Sequence, residues 1–171
     1  MEIKQLEHSE STNLTPTHQI VVIAENIHIP ENMGMIFRIC EAMGVRELIF
    51  TGVTQEKTNR KLIRAARSTI KEIPSRWVLS TQEILAELKN QGYELLGLEI
   101  TNKSQDIRDL DLRKGVKVAL VVGAERTGVE EKTLLALDRH THIPMFGKNL
   151  SMNVATALSI ALFEIVRQLN A

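Results

Sequence analysis

The sequence predicts one α/β domain with a mainly parallel β-sheet flanked by helices. Two observations carry that prediction. Short apolar runs rich in β-branched residues recur along the chain without the polar alternation of a half-solvated strand, as buried parallel strands do. Segments with helical spacing of apolar residues lie between them, and strands alternating with helices imply parallel crossovers. At 171 residues, 43% hydrophobic and 25% charged, the chain suits a single domain that closes its core without disulfides or metal.

Residues 1–18 read as a polar, flexible or loosely docked arm rich in Ser, Thr and Glu, and 19–171 as the domain. The arm lacks the apolar region of a secretory signal. No run approaches the roughly 18 apolar residues of a membrane span, so a cytoplasmic protein is expected. IVVIAENI (20–27) is the first strand, and ENMGMIFRICEAMG (31–44) the first helix, with Asn32 a candidate N-cap and Gly44 its stop. ELIFTG (47–52) is a strand, and TNRKLIRAARSTI (58–70) a helix that sets Leu62, Ile63, Ala65, Ala66 and Ile70 against charged positions. TQEILAELKNQG (81–92) opens on a Thr cap and ends at Gly92. YELLGLEI (93–100), VKVALVVG (116–123) and a short THIP (141–144) complete the sheet. SMNVATALSIALFEIVRQL (151–169) closes the chain as a helix that is apolar around most of its circumference. Such a helix asks for burial on nearly every side, which a second subunit would supply. Cys40, the single cysteine, lies within IFRICEAMGV and reads as a small buried hydrophobe.

Net charge is zero, with 21 basic and 21 acidic residues, which is not the signature of a dedicated nucleic-acid binder. The distribution is uneven. Between Glu56 and Arg76 stand seven cations (Lys57, Arg60, Lys61, Arg64, Arg67, Lys71, Arg76) against two anions, Glu56 and Glu72. On a helix Lys57, Arg60 or Lys61, Arg64, Arg67 or Ser68, and Lys71 fall near one face, with Arg60, Lys61, Arg64 and Arg67 the candidate RNA contacts. That stripe is either a solvated face or a track for a phosphate backbone.

Three segments carry candidate chemistry. In NIHIPENMGMIFRICEAMGV (26–45), Pro30 and Asn32 turn the chain into a helix, Gly34 permits close approach, and Arg38 sits among apolar neighbours. In LVVGAERTGVEE (120–131) a buried strand enters a Gly-rich turn holding Glu125, ahead of a further helix. The turn lacks the glycine spacing of a dinucleotide fingerprint and the Lys of a P-loop, and Glu125 also suits the start of a helix. In HIPMFGKNLSMNVATALS (142–159), Pro144, Gly147 and Asn149 form a loop before Ser151 and Asn153 open the last helix. Ser151 is a natural N-cap. The functional reading instead has the Ser151 hydroxyl and the Asn153 amide hold a substrate oxygen or a catalytic partner. His140 and His142 alternate without cysteines or clustered carboxylates beside them, so no metal site is expected.

In order and spacing, these segments resemble the three motifs of the SpoU/TrmH family of SPOUT RNA 2′-O-ribose methyltransferases, over about residues 20–169. Met152 stands where the family commonly has Leu, a swap of similar size, and Ala124 where it commonly has Asn. The resemblance implies a SPOUT methyltransferase domain with a C-terminal deep trefoil knot that binds S-adenosyl-L-methionine. By motif position the cofactor loops lie at Leu98 and Glu99, at Gly123, at Ile143 and at Met152. The catalytic set implied is Arg38 with Asn32, Glu125, Ser151 and Asn153. Because a guanidinium keeps its proton in proteins, Arg38 is read as stabilising the developing alkoxide and orienting an RNA phosphate. The resemblance also gives the basic stripe an RNA to bind. A homodimer through the C-terminal and first-motif helices, with no membrane, is expected. The stretches GYELLGLEITNKS and VVGAERTGV look closest to members acting on tRNA. A ribosomal RNA target, a non-catalytic RNA-binding protein of the same fold, and a nucleotide-binding oxidoreductase are the alternatives.

Overall fold

The computed structural model describes residues 4, 15–54, 59–148 and 151–171. Most of the proposed N-terminal arm, Lys57 of the basic segment and Asn149 of the last loop lie outside the described residues. Among the described residues seven strands form one sheet: β1 (Gln19–Glu25), β2 (Glu47–Thr51), β3 (Ser75–Val78), β4 (Tyr93–Leu98), β5 (Gln105–Asp106), β6 (Lys117–Val122) and β7 (Arg139–His142). Their order is β3-β2-β1-β6-β4-β7-β5, and each neighbouring pair is parallel. The helices are α1 (Pro30–Ala42), α2 (Arg60–Ala66), α3 (Thr69–Glu72), α4 (Thr81–Asn90), α5 (Glu131–Ala136) and α6 (Val154–Leu169). None is long and apolar enough to cross a membrane.

Both faces of the sheet are covered, so alternate residues of one strand enter different cores. Ile20, Val22 and Ala24 of β1 join Phe37 and Cys40 of α1 and Leu158, Leu162 and Ile165 of α6. Val21 and Ile23 join Ile84, Leu85 and Leu88 of α4 on the other side. Phe37, Phe50 and Trp77 pack as an aromatic group, with the Phe50 and Trp77 rings stacked at 5.0 Å. Gly34 lets α1 lie directly on α2, since a Cβ there would collide with Ala65 and the backbone of Leu62 and Ala66. Cys40 is fully buried, and burial pushes its thiol pKa upward.

Several local expectations need correction. β3 and β5 are additional strands, and β7 begins two residues before the THIP segment. The helix expected over 58–70 is two helices, because Arg67 adopts φ 55°. The Thr69 hydroxyl donates to the Ala66 carbonyl at 2.5 Å, taking an acceptor that a continuing helix would use. Asn59 caps α2 through Lys61 N and Leu62 N. Asn32 is not an N-cap: Ile29 holds that position, with Pro30 opening α1. Ser80, not Thr81, caps α4, while Thr81 is buried and donates to the Thr51 hydroxyl at 2.7 Å. Asn153, not Ser151, caps α6, accepting from Ala155 N and Thr156 N. Within this chain α6 is not buried all round, for Thr156, Ile160, Phe163 and Arg167 line an exposed stripe, with Phe163 64% exposed.

Candidate active site

Where the strand order reverses, between β1 and β6, an open α/β sheet usually leaves a ligand crevice. Here the chain closes it. Glu25 ends β1 at 1% exposure, and its carboxylate accepts from Glu130 N at 2.8 Å and the Thr133 hydroxyl at 2.6 Å. Asn26, at φ 55°, donates to Glu130 Oε1 at 2.7 Å. The hydrogen bond from Lys132, with that from Asn26, holds the Glu130 carboxyl below its ordinary range. The dinucleotide reading therefore loses its place in the fold as well as its motif.

The open cavity lies further along, past the C-terminal ends of β4, β6 and β7, with a volume of about 470 Å³. That is within the usual range for small-molecule sites. All five residues expected at a cofactor line it: Leu98, Glu99, Gly123, Ile143 and Met152. Glu125 and Ser151 line it too. Leu98, Val122, Ile143, Met145 and Met152 make its walls apolar enough for an adenine.

Its far wall is a tight hairpin. Gly128, at φ 65°, donates its N–H to the Ala124 carbonyl at 2.8 Å, closing residues 125–127 into a three-residue tip. Gly123 is needed beneath it, because a Cβ there would strike the Gly128 backbone. The Glu99 carboxylate accepts from Val129 N and Ile100 N, both at 3.0 Å, so this residue shapes the wall. Sequence reasoning placed Glu99 at the cavity but not in that task.

At the tip, side chains from all three motifs meet. Asn153 donates to Glu125 Oε1 at 2.5 Å and to Asn32 Oδ1 at 3.0 Å, and Asn32 donates to Glu125 Oε1 at 3.0 Å. Two amides thus hold one carboxylate oxygen at the edge of the cavity. Ser151 stays exposed beside it. Arg38, on the same helix as Asn32, is exposed, and no described residue of this chain joins it to the network.

Arg60, Lys61, Arg64 and Arg67 are exposed on α2 and the turn after it. Lys61 reaches Glu31 of α1 at 3.5 Å, so the basic surface adjoins the helix that carries Asn32. Arg76 has a different task, since it pairs with Glu47 at 2.9 Å and Glu87 at 2.7 Å and locks β3 to its neighbours. Two ionisable cavity residues were not anticipated, Arg126 and His142. The sequence raises His142 only as a metal ligand, with His140. Its alternation with Thr141, which is buried, was the available signal that one side chain of the pair faces outward from β7.

The SpoU rRNA methylase family model matches residues 19–163. A tRNA (guanosine(18)-2′-O)-methyltransferase of Thermus thermophilus is 31% identical over 149 residues, which cover 87% of this chain and 75% of that protein. The Escherichia coli protein of the same name is 28% identical, over 87% of this chain and 63% of its own length. The structure of the SpoU methyltransferase AviRb from Streptomyces viridochromogenes in complex with the cofactor AdoMet matches with a TM-score of 0.81 at 25% identity, over 90% of this chain and 62% of that one. The chain spans about three-fifths of the length of some of the curated relatives it matches. With its three motifs gathered at one cavity and the family match running through nearly the whole sheet, the chain belongs to the SpoU rRNA methylase family.

Proposed function

We propose that this protein transfers a methyl group from S-adenosyl-L-methionine to a ribose 2′-hydroxyl of a tRNA in the cytoplasm. The observation that carries the reading is the meeting of Asn32, Glu125 and Asn153 at the rim of a cavity lined by the five expected cofactor residues. The relatives named for tRNA support the choice of RNA.

S-adenosyl-L-methionine, when bound, supplies a methyl already activated by its sulfonium. The chain's work is then to align a ribose oxygen and help its proton leave. Leu98, Ile143 and Met152 would hold the adenine, with Gly123 keeping the hairpin close. Asn32 and Asn153 fix the Glu125 carboxylate at the rim, and Ser151 beside it offers a hydroxyl to the ribose. Arg38 stabilises the developing alkoxide and holds an adjacent phosphate, a task for fixed bidentate donors. Arg60, Lys61, Arg64 and Arg67 track the RNA backbone.

The fold supports two further parts of the reading. β7 lies between β4 and β5 although it follows both in sequence, which suits a chain that threads through itself as a trefoil knot. Ile160 and Phe163 on α6 and Met35 on α1, 40%, 64% and 42% exposed, suit a homodimer through these helices. Light scattering should give a dimer, and Phe163→Asp should shift it toward monomer.

The decisive assay supplies S-adenosyl-L-methionine with a deuterated methyl and tRNA from cells lacking the gene. Mass spectrometry of the digested RNA should find the label on one 2′-O-methylnucleoside. Label on a base, or none on any RNA, refutes the proposal.

A further inference from the structure

The cavity has four ionisable side chains in its lining: Glu99, Glu125, Arg126 and His142. Three are already engaged. Glu99 accepts from Val129 N and Ile100 N. Glu125 accepts from Asn32 and Asn153. His142 Nδ1 pairs with the Ser104 hydroxyl at 2.9 Å. Arg126 is different. It is exposed at the tip of the hairpin closed by Ala124 and Gly128. Among the described residues no carboxylate pairs with it, the neighbouring Glu125 included, since that oxygen is held by the two amides. Among the described residues it is also the one permanently charged cation in the cavity lining.

The proposed methyl donor brings a matching group. Beyond its adenosine it carries an amino-acid end with a free carboxylate, and a carboxylate leaving water needs donors in return. Among charged side chains, a guanidinium gives it the closest planar, two-toothed match. The hydrogen bond from Gly128 N–H to the Ala124 carbonyl at 2.8 Å closes the hairpin and sets Arg126 at its tip, on the cavity wall. Resting on the function proposed above, we infer that Arg126 is a cofactor-binding residue that clamps the carboxylate of S-adenosyl-L-methionine, so that the cofactor is held at both ends, adenine in the apolar wall and carboxylate at the hairpin tip.

Two adenosine thioethers separate this role from any other. S-adenosylhomocysteine carries the amino-acid end, whereas 5′-methylthioadenosine lacks it and keeps the adenosine. Calorimetric titration of the full chain should show Arg126→Gln weakening S-adenosylhomocysteine roughly tenfold or more, the range of a hydrogen bond to a charged group. Binding of 5′-methylthioadenosine should change less than about twofold by the same reasoning. Arg126→Lys should fall between, keeping the charge and losing the fork. Equal losses for both ligands would mean that the substitution disturbs the hairpin, and no loss for either would mean that the guanidinium faces solvent or RNA; each overturns the inference. A wild-type protein that binds neither ligand would overturn the proposed function itself, and this inference with it.

Discussion

Asn153 has two separable tasks, and substitution can pull them apart. Its Oδ1 accepts from Ala155 N at 3.0 Å and Thr156 N at 3.2 Å, capping α6. Its Nδ2 donates to Glu125 and Asn32. Asn153→Ala removes both. The lost cap costs about 1 kcal/mol, and the lost donor to an exposed carboxylate adds about 0.5 kcal/mol. For a domain of 171 residues, 1.5 kcal/mol corresponds to a fall in Tm of about 3–6 °C. Asn153→Ser keeps an oxygen for the cap but is too short to reach Glu125. It should melt within about 2 °C of wild type, yet lose at least about tenfold in methyl transfer if the amide positions Glu125 during reaction. Asn153→Asp keeps the cap and gains from the helix dipole by about 0.5 kcal/mol. It also sets a second carboxylate against Glu125, which in water-like surroundings repels by about 1 kcal/mol. Its stability should therefore stay near wild type at pH 7 while activity falls. Scanning calorimetry and methyl incorporation into RNA read the two tasks independently. A fully active Asn153→Ser protein would refute the role of the amide. One as unstable as Asn153→Ala would refute the cap.

Arg38→Lys should lower turnover at least about tenfold, since an ammonium cannot offer the planar fork, while S-adenosylhomocysteine binding stays unchanged; near-normal turnover with an unshifted pH profile would count against the role. Gly34→Ala gains about 1 kcal/mol of helix propensity but overpacks α1 against α2 at a cost of about 1–3 kcal/mol, so a net loss is expected in the urea midpoint. Glu25→Leu leaves the Glu130 N–H and the Thr133 hydroxyl without their acceptor and should destabilise by about 3 kcal/mol with an unchanged m-value. The Asp106 carboxyl is held down to about 2 by the Arg108 side chain and then by its backbone N–H. A depressed folded-state value stabilises above the unfolded value of about 3.9, and that part is lost as pH falls from about 4 to about 2. Asp106→Asn should lower stability at pH 7, flatten the profile across that window and meet wild type near pH 2.

The sheet was legible where strands are buried on both faces, as in β1, β4 and β6, whose runs have little polar interruption. β7 was legible only from Thr141 on, because it opens on Arg139 and His140. Its Arg139 reads as surface, but it pairs with Glu94 at 3.0 Å, and its Thr141 is buried with its hydroxyl donating to the Gln105 carbonyl. β5 is two residues long and β3 opens on Ser and Arg, so neither leaves a period to read. The break at Arg67 was invisible for another reason: helix propensity favours the whole segment, and one threonine hydroxyl decides against it. At the site, residue types were readable and contacts were not. Asn32 and Glu125 are 93 residues apart, and Asn32 and Asn153 are 121 apart. Only the sheet order brings them to one edge. The same order explains why Glu125 serves the network rather than the start of a helix, since α5 begins at Glu131.

The place of β7 between β4 and β5 has a kinetic meaning. Every described lining residue of the cavity falls between Leu98 and Ala157, so the described residues of the first half of the chain cannot preform it. β1, α1 and β2 can pair as soon as they are made. β5 must wait for β7, the last strand synthesised, and that non-local step is slow. Until it finishes, the early half presents its basic helix and Arg38 with no completed cavity beside them. A ligand of the cavity therefore binds only the completed fold and draws the final step forward by mass action. Refolding should show a slow last phase seen by a cavity ligand but not by the Trp77 environment in β3, with the charged surface mature before the pocket exists.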